Sequence, residues 1–201
     1  MLSPNNIEFK NFTKEFEYIA SSKILKYFQL RLKNVSDEKI FNLIHFIFPL
    51  CKKNKIKFII NDRPEIAKKL NLDGVHVGKN DPSISRCRQL LGKKKIIGKS
   101  CYTSCYLANN AQTFGANYVA FGSFFNTVTK ENTNKVFIHN LKAWNKIKKI
   151  PTIGIGGINY RNLYKIRNLD LDFIALSSSI WKSKLKPALA LKKIKNVIDK
   201  Y

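Results

Sequence analysis

The sequence predicts an α/β fold, a (β/α)8 barrel made as one domain over residues 1–201, and three observations carry that prediction. From Tyr27 onward, seven short apolar or β-branched runs alternate with longer amphipathic stretches, as parallel strands joined by crossover helices do. Each run ends in charged, hydroxyl-bearing or glycine residues, so the chemistry gathers at one end of the strands. The composition is globular, with 44% hydrophobic and 12% aromatic residues, and a chain of this length buries roughly 70% of the surface its unfolded form exposes.

The predicted strands are 27–32, 56–60, 74–77, 95–98, 118–121, 152–155 and 173–176. An eighth is needed to close a barrel, and only Met1 and Leu2, ahead of Pro4, precede the first helix, expected from about Phe12 to Lys23. The first strand is therefore read as shortened or degenerate, and an open doubly wound sheet stands as the alternative. Ser36, Asp37 and Glu38 read as the cap of a helix running to about Asn54, kinked or interrupted near Pro49. Pro64, Pro82 with Ser83, Asn159 and Pro187 mark further helix starts, and Gly115 ends a helix that begins at Ser104. Over 137–149, Ile138, Leu141, Trp144 and Ile147 are expected to share a buried face, which makes Trp144 a core residue.

A formal net charge of +24 invites a nucleic-acid partner, but the lysines recur in nearly every segment, at helix ends and on polar faces, instead of forming one patch. No dedicated nucleic-acid surface is predicted, and a basic nucleic-acid-binding protein stands as a second alternative. Cys51, Cys87, Cys101 and Cys105 show neither a disulfide framework nor a paired metal motif and read as reduced thiols. No run approaches the ~20 apolar residues of a membrane span, and the N-terminus lacks signal-peptide character, so a cytoplasmic location is expected.

The residues at the strand ends separate by chemistry. Asp62 and Asp81 follow neighbouring strands and suit a hard divalent cation, since Mg²⁺ takes one or two carboxylates and fills its shell with water and phosphate oxygens. Arg31, Lys33 and Lys130 suit the charge of a diphosphate, and Asn61 and Ser100 can donate to its oxygens. The segment 119–130 passes from an apolar strand through Gly122 to Thr127, Thr129 and Lys130, as a phosphate-handling loop would. Gly156, Gly157, Ser177 and Ser178 follow the last two strands, where barrels often build a second phosphate site. His76, between two valines, reads as a satisfied core residue, and Asp62-Arg63 reads equally as a surface ion pair or a helix cap.

These residues together resemble one family. Gln29, Arg31 and Lys33; Asn61-Asp62-Arg63; Gly74-Val-His-Val-Gly78 with Asp81; Gly98-Lys-Ser100; Gly122 through Thr127 and Thr129 to Lys130; and Ile155-Gly-Gly-Ile158 are similar to thiamine phosphate synthases. The resemblance implies a TIM barrel and a transferase of thiamine biosynthesis, joining a hydroxymethylpyrimidine diphosphate to a thiazole phosphate with Mg²⁺. It implies that diphosphate leaves first and the thiazole nitrogen captures the pyrimidine-methyl cation. By motif, Gln29, Arg31, Lys33, Asn61, Ser100 and Lys130 would hold the pyrimidine diphosphate, with Arg31, Lys33, Ser100 and Lys130 acting catalytically. Asp62 and Asp81 would bind Mg²⁺, and Thr127, Thr129, Gly157, Ser177 and Ser178 the thiazole phosphate. Lys79 stands where relatives commonly have Gln. A thiazole tautomerase of the same lineage is the nearest rival, with an inactive paralogue beside it. The tautomerase carries His where this chain has Ser123, and proton transfer wants such a group.

Overall fold

The structure, a computed structural model, describes residues 1–125 and 134–200. Seven parallel strands form one sheet in chain order: β1 (Tyr27–Leu30), β2 (Lys57–Asn61), β3 (Gly74–Val77), β4 (Ile96–Tyr102), β5 (Tyr118–Phe121), β6 (Thr152–Ile155) and β7 (Phe173–Ala175). This unbroken order rules out the doubly wound alternative, whose strand order reverses. Every strand lies on a predicted run, but β4 continues to Tyr102, so Lys99 and Ser100 belong to the strand and not to the loop after it.

The helices are α1 (Phe9–Ser21), α2 (Asp37–Lys53), α3 (Pro64–Lys69), α4 (Ile84–Leu91), α5 (Cys105–Thr113), α6 (Asn134–Asn145), α7 (Ser178–Trp181) and α8 (Pro187–Ile198). Helix α1 starts earlier than predicted because the Glu8 carboxylate accepts hydrogen bonds from the N–H groups of Lys10 and Asn11, at 3.2 and 2.9 Å. It packs on β1 through Phe16 and Phe28, both fully buried with ring centroids 4.5 Å apart. Burying a Phe of this kind is worth about 1.5–3 kcal/mol.

Four expectations are corrected. Helix α2 runs through Pro49 without interruption, and Ser36 sits at its N-cap position without a side-chain capping bond. On α6 the buried stripe is Phe137, Leu141 and Trp144, spaced i, i+4, i+7, whereas Ile138 and Ile147 are 37% and 46% exposed. Trp144 is core as expected, its Nε1–H donating to Thr152 Oγ1 at 2.7 Å. Asn159 starts no α-helix among the described residues: β6 and β7 are joined through a 3₁₀ turn (Leu163–Lys165), with the Asn159 N–H donating to Asn162 Oδ1 at 2.8 Å.

The amino-terminal residues bridge the two ends of the sheet. Leu2 pairs in parallel with Gln29; the Gln29 N–H donates to Met1 O at 2.8 Å and the Ser3 N–H to Gln29 O at 2.9 Å. On the other side the Leu2 N–H donates to Leu176 O, just past β7, at 2.8 Å. The sheet is thus curled, with β1 and β7 approaching each other across this segment. Trp181 Nε1–H donates to Leu2 O at 2.8 Å and the Ser177 hydroxyl to Ser3 O at 3.0 Å, which fixes it further.

A repeated device aligns the amino ends of the strands. Asp73, Asn117 and Asp172, each just before β3, β5 or β7, accept from the first free N–H of the preceding strand: Phe58 at 2.9 Å, Ile97 at 2.8 Å and Thr152 at 2.8 Å. The opposite ends are left for the site. Among the described residues no helix is long and apolar enough to cross a membrane.

Candidate active site

Asp62 follows β2 directly, in a left-handed conformation with φ 65° that turns its side chain away from the strand while its N–H still donates to His76 O at 2.8 Å. Asp81 lies in the loop after β3, where its Oδ2 accepts from the Gly78 N–H at 2.5 Å. Each carboxyl bears on the ionisation of the other, through hydrogen bonding and charge. Burial, then the hydrogen bond and charge of Asp81, push Asp62 up to about 6, against the pull of Lys33 and Arg31. Burial also opposes ionisation of Asp81, but the hydrogen bonds from Asp62 and the Gly78 N–H, with the charges of Lys33 and Lys99, outweigh it and hold Asp81 below the usual carboxylate range. Two interacting carboxyls, one of them resisting ionisation, suit a divalent cation. Among the described residues no group of three or more His, Cys, Asp or Glu is placed to hold a metal, so a cation here would complete its shell with water and ligand oxygens.

The cations come from the segment after β1. The Arg31 N–H donates to Ser3 Oγ at 2.9 Å, whose hydroxyl donates back to Arg31 O at 3.1 Å, and Arg31 Nη1–H reaches Asn5 Oδ1 at 3.4 Å. Lys33 is exposed, and both act electrostatically on Asp62. Arg63 holds this segment: its Nη1 and Nη2 donate to the carbonyls of Leu32 and Val35 at 3.1 and 3.2 Å, and its Nε pairs with Asp37 at 3.2 Å. The ion-pair reading of Asp62-Arg63 is corrected: Arg63 pairs with Asp37, and it stands at the N-cap position of α3 without a side-chain capping bond.

Below the charges, Gln29, Arg31, Asn61, His76, Ser100 and Tyr118 help line a cavity of about 80 Å³ inside the curl of the sheet. Gln29 Nε2–H donates to Asn61 Oδ1 at 2.9 Å, which leaves the Gln29 carbonyl and the buried Asn61 amide N–H to meet a ligand. His76 is satisfied on both nitrogens, by Tyr118 Oη at 2.9 Å and Ser100 Oγ at 2.8 Å. Burial, with the Lys99 charge, pushes His76 down to about 4, so the ring is neutral. A larger cavity of about 660 Å³ opens at the other end, among the amino ends of the strands and α8, where it is lined mainly by apolar side chains.

A family model described as thiamine monophosphate synthase matches residues 2–180. The chain belongs to the thiamine monophosphate synthase family. It is 40% identical over 196 residues to a thiamine-phosphate synthase of Pelagibacter ubique, covering 97% of this chain and 94% of that one. It is 37% identical over 163 residues to a synthase of the same name from Rhodospirillum centenum, covering 81% of this chain and 79% of that one. A solved thiamine phosphate pyrophosphorylase from Pyrococcus furiosus shares the fold, with a TM-score of 0.84 at 22% identity, over 99% of this chain and 94% of that one.

For this member of the thiamine monophosphate synthase family, the structure brings Gln29, Arg31, Asn61 and Ser100 to one cavity, and puts Asp62, Asp81, Arg31 and Lys33 within electrostatic reach of one another. Gly157 sits after β6 at φ 66°, where an added Cβ would come 2.7 Å from Phe125 O. Ser177 is half-buried with its hydroxyl engaged by Ser3 O, and Ser178 is exposed. Thr127, Thr129 and Lys130 lie outside the described residues. Lys79 is exposed, and Lys99 is the cation whose Nζ donates to Gly78 O, at 2.5 Å. Lys99 and the Arg63 clamp were not assigned from sequence. The strand alternation that turns Ser100 inward was the available signal for Lys99.

Proposed function

We propose that this transferase couples a pyrimidine-methyl diphosphate to a thiazole phosphate, giving thiamine phosphate and diphosphate. The observation that carries the reading is the pair of carboxyls Asp62 and Asp81 with Arg31 and Lys33 in electrostatic reach at the carboxyl end of the sheet, in a chain of this family. In the proposed reaction the bond between the pyrimidine methylene and the diphosphate oxygen breaks, its electron pair leaving with the diphosphate. The thiazole nitrogen then uses its lone pair to form the new C–N bond.

Arg31, Lys33 and Lys130 neutralise the charge growing on the departing diphosphate. Gln29, Asn61 and Ser100 orient the pyrimidine diphosphate from the cavity wall. Asp62 and Asp81 would hold Mg²⁺, which when bound supplies positive charge to the diphosphate oxygens. Thr127, Thr129, Gly157, Ser177 and Ser178 receive the thiazole phosphate. Such a reaction needs no protein nucleophile, consistent with a neutral His76 already engaged on both sides.

The hydrogen bonds of Met1, Leu2 and Ser3 to both β1 and the end of β7 support a (β/α)8 barrel whose eighth stave is this stub. The partners are small phosphorylated pyrimidine and thiazole substrates, in one cytoplasmic domain without a nucleic-acid partner. Incubating the purified protein with both substrates and Mg²⁺ tests the reading: thiamine phosphate should form with equimolar diphosphate. Isomerisation of a thiazole without consumption of the pyrimidine would favour the tautomerase instead. That outcome is not expected with Ser123, whose hydroxyl donates to Phe125 O at 3.0 Å, where proton transfer would want histidine.

A further inference from the structure

We infer that Tyr118 is a positioning residue which, through His76, fixes the Ser100 hydroxyl as a hydrogen-bond donor to the pyrimidine diphosphate. The inference rests on the coupling reading for the identity of the ligand and on hydrogen-bond geometry for the relay.

The three side chains form a chain across neighbouring strands of the inner face: Tyr118 Oη to His76 Nδ1 at 2.9 Å, and His76 Nε2 to Ser100 Oγ at 2.8 Å. A neutral imidazole has one N–H, so the chain has two possible polarities. If Nδ1 carried the proton it would donate to Tyr118 Oη, and the phenolic hydrogen would find no acceptor among the described residues. Nε2 would then take the Ser100 hydroxyl proton, leaving Ser100 able only to accept. If Tyr118 donates to Nδ1, Nε2–H donates to Ser100 Oγ, and the hydrogen left over is that of Ser100. The Ser100 hydrogen is then released toward the cavity that Ser100 lines with Gln29, Asn61 and Arg31.

Each polarity turns one hydroxyl hydrogen to the cavity that both Tyr118 and Ser100 line; the one in which Tyr118 donates puts it on Ser100, the hydroxyl proposed to meet an anion. Burial pushes the Tyr118 phenol far up, so it keeps its proton, and His76 at about 4 stays neutral. The sequence makes room for the arrangement: a Cβ at Gly98, between His76 and Tyr118 in the sheet, would come 2.0 Å from Tyr118 Cζ, and the Tyr118 ring instead stacks on His76 with centroids 5.5 Å apart. A donor fixed in advance is what an anionic ligand wants, because no hydroxyl has to be reoriented during the reaction.

The test is the His76 tautomer by ¹⁵N NMR of the ligand-free protein labelled at histidine, followed by kinetics of Tyr118→Phe. The wild type should carry the His76 proton on Nε2, with Nδ1 accepting. In Tyr118→Phe the Nδ1–H form should grow, and kcat should fall roughly tenfold, the cost of one lost hydrogen bond, with KM for thiazole phosphate unchanged. A wild-type His76 protonated on Nδ1 overturns the relay, as does a Tyr118→Phe enzyme with unaltered tautomer or unaltered kcat. Should the wild type form no thiamine phosphate, the coupling reading fails, while the tautomer still decides the relay.

Discussion

The part of the sheet from β1 to β4 and the part from β5 to β7 are built from different materials. In the first, side chains interlock: Gln29 with Asn61, His76 with Ser100, Asp81 with the Gly78 N–H, and Arg63 with the carbonyls of Leu32 and Val35. In the second, backbone also meets backbone at the carboxyl ends. The N–H groups of Phe124 and Phe125 donate to the carbonyls of Ile155 and Gly156 at 3.1 and 3.0 Å, and Gly157 lies where a Cβ does not fit. The outer layer is thinner there too, with a 3₁₀ turn before β7 and Phe173 41% exposed. Two carboxyls and several cations brought together repel or mispair unless each is held, so the first region needs anchoring side chains. In the second the backbone of Gly156 and Gly157 runs against Ser123 and Phe125 too closely for a Cβ, so it needs glycine.

If that division is functional, variants in the two regions should damage different substrates. The largest effect is expected from Asp62→Ala or Asp81→Ala: coupling should fall on the order of a thousandfold, as when a group acting on transition-state charge is removed, with thiazole phosphate binding unchanged in a direct titration. Equal loss of both substrates would erase the division. Next is Gly157→Ala, strained at φ 66° and 2.7 Å from Phe125 O. Its strain of about 1–3 kcal/mol should raise KM for thiazole phosphate about tenfold, without changing KM for the pyrimidine diphosphate. Arg63→Met is the mirror test, since it frees the segment carrying Arg31 and Lys33. KM for the pyrimidine diphosphate should rise severalfold, and urea unfolding should show a loss of about 1–3 kcal/mol.

The smallest effect is one of stability with pH. Folding raises Asp62 from its ordinary value of 3.8 to about 6, so the folded state binds the extra proton. That contribution is fully present below the unfolded value and is lost as pH rises through about 6. Thermal melts of the metal-free protein should therefore show Asp62→Asn gaining on the wild type between pH 4 and pH 7. A constant difference across that range would show that folding does not raise Asp62.

The same division explains how much the sequence disclosed. Seven strands are legible because apolar runs buried on both faces punctuate the chain, and the candidate site of the first region is legible as a cluster because carboxylates, cations and amides declare their chemistry by type. What escaped was carried by geometry. Glu8 as a cap, Lys99 on Gly78 O and Arg63 on two carbonyls are long-range or conformational choices that residue type leaves open. Tyr118 at the head of the His76–Ser100 chain belongs with them. The Asn159 segment was misread because its asparagines bond one another in a turn, where a helix start uses the same residues. The amino-terminal bridge between β1 and the end of β7 is hardest to see, because three residues that bond on both sides leave no run to recognise.

The central claim is that Asp62 and Asp81 act together to bind a divalent cation for the diphosphate. Its most direct test is calorimetric titration of diphosphate, with and without Mg²⁺, into the wild type and into Asp62→Ala. Mg²⁺ should tighten diphosphate binding strongly in the wild type and have no effect in the variant. Equal tightening in both proteins, or none in either, would contradict the account.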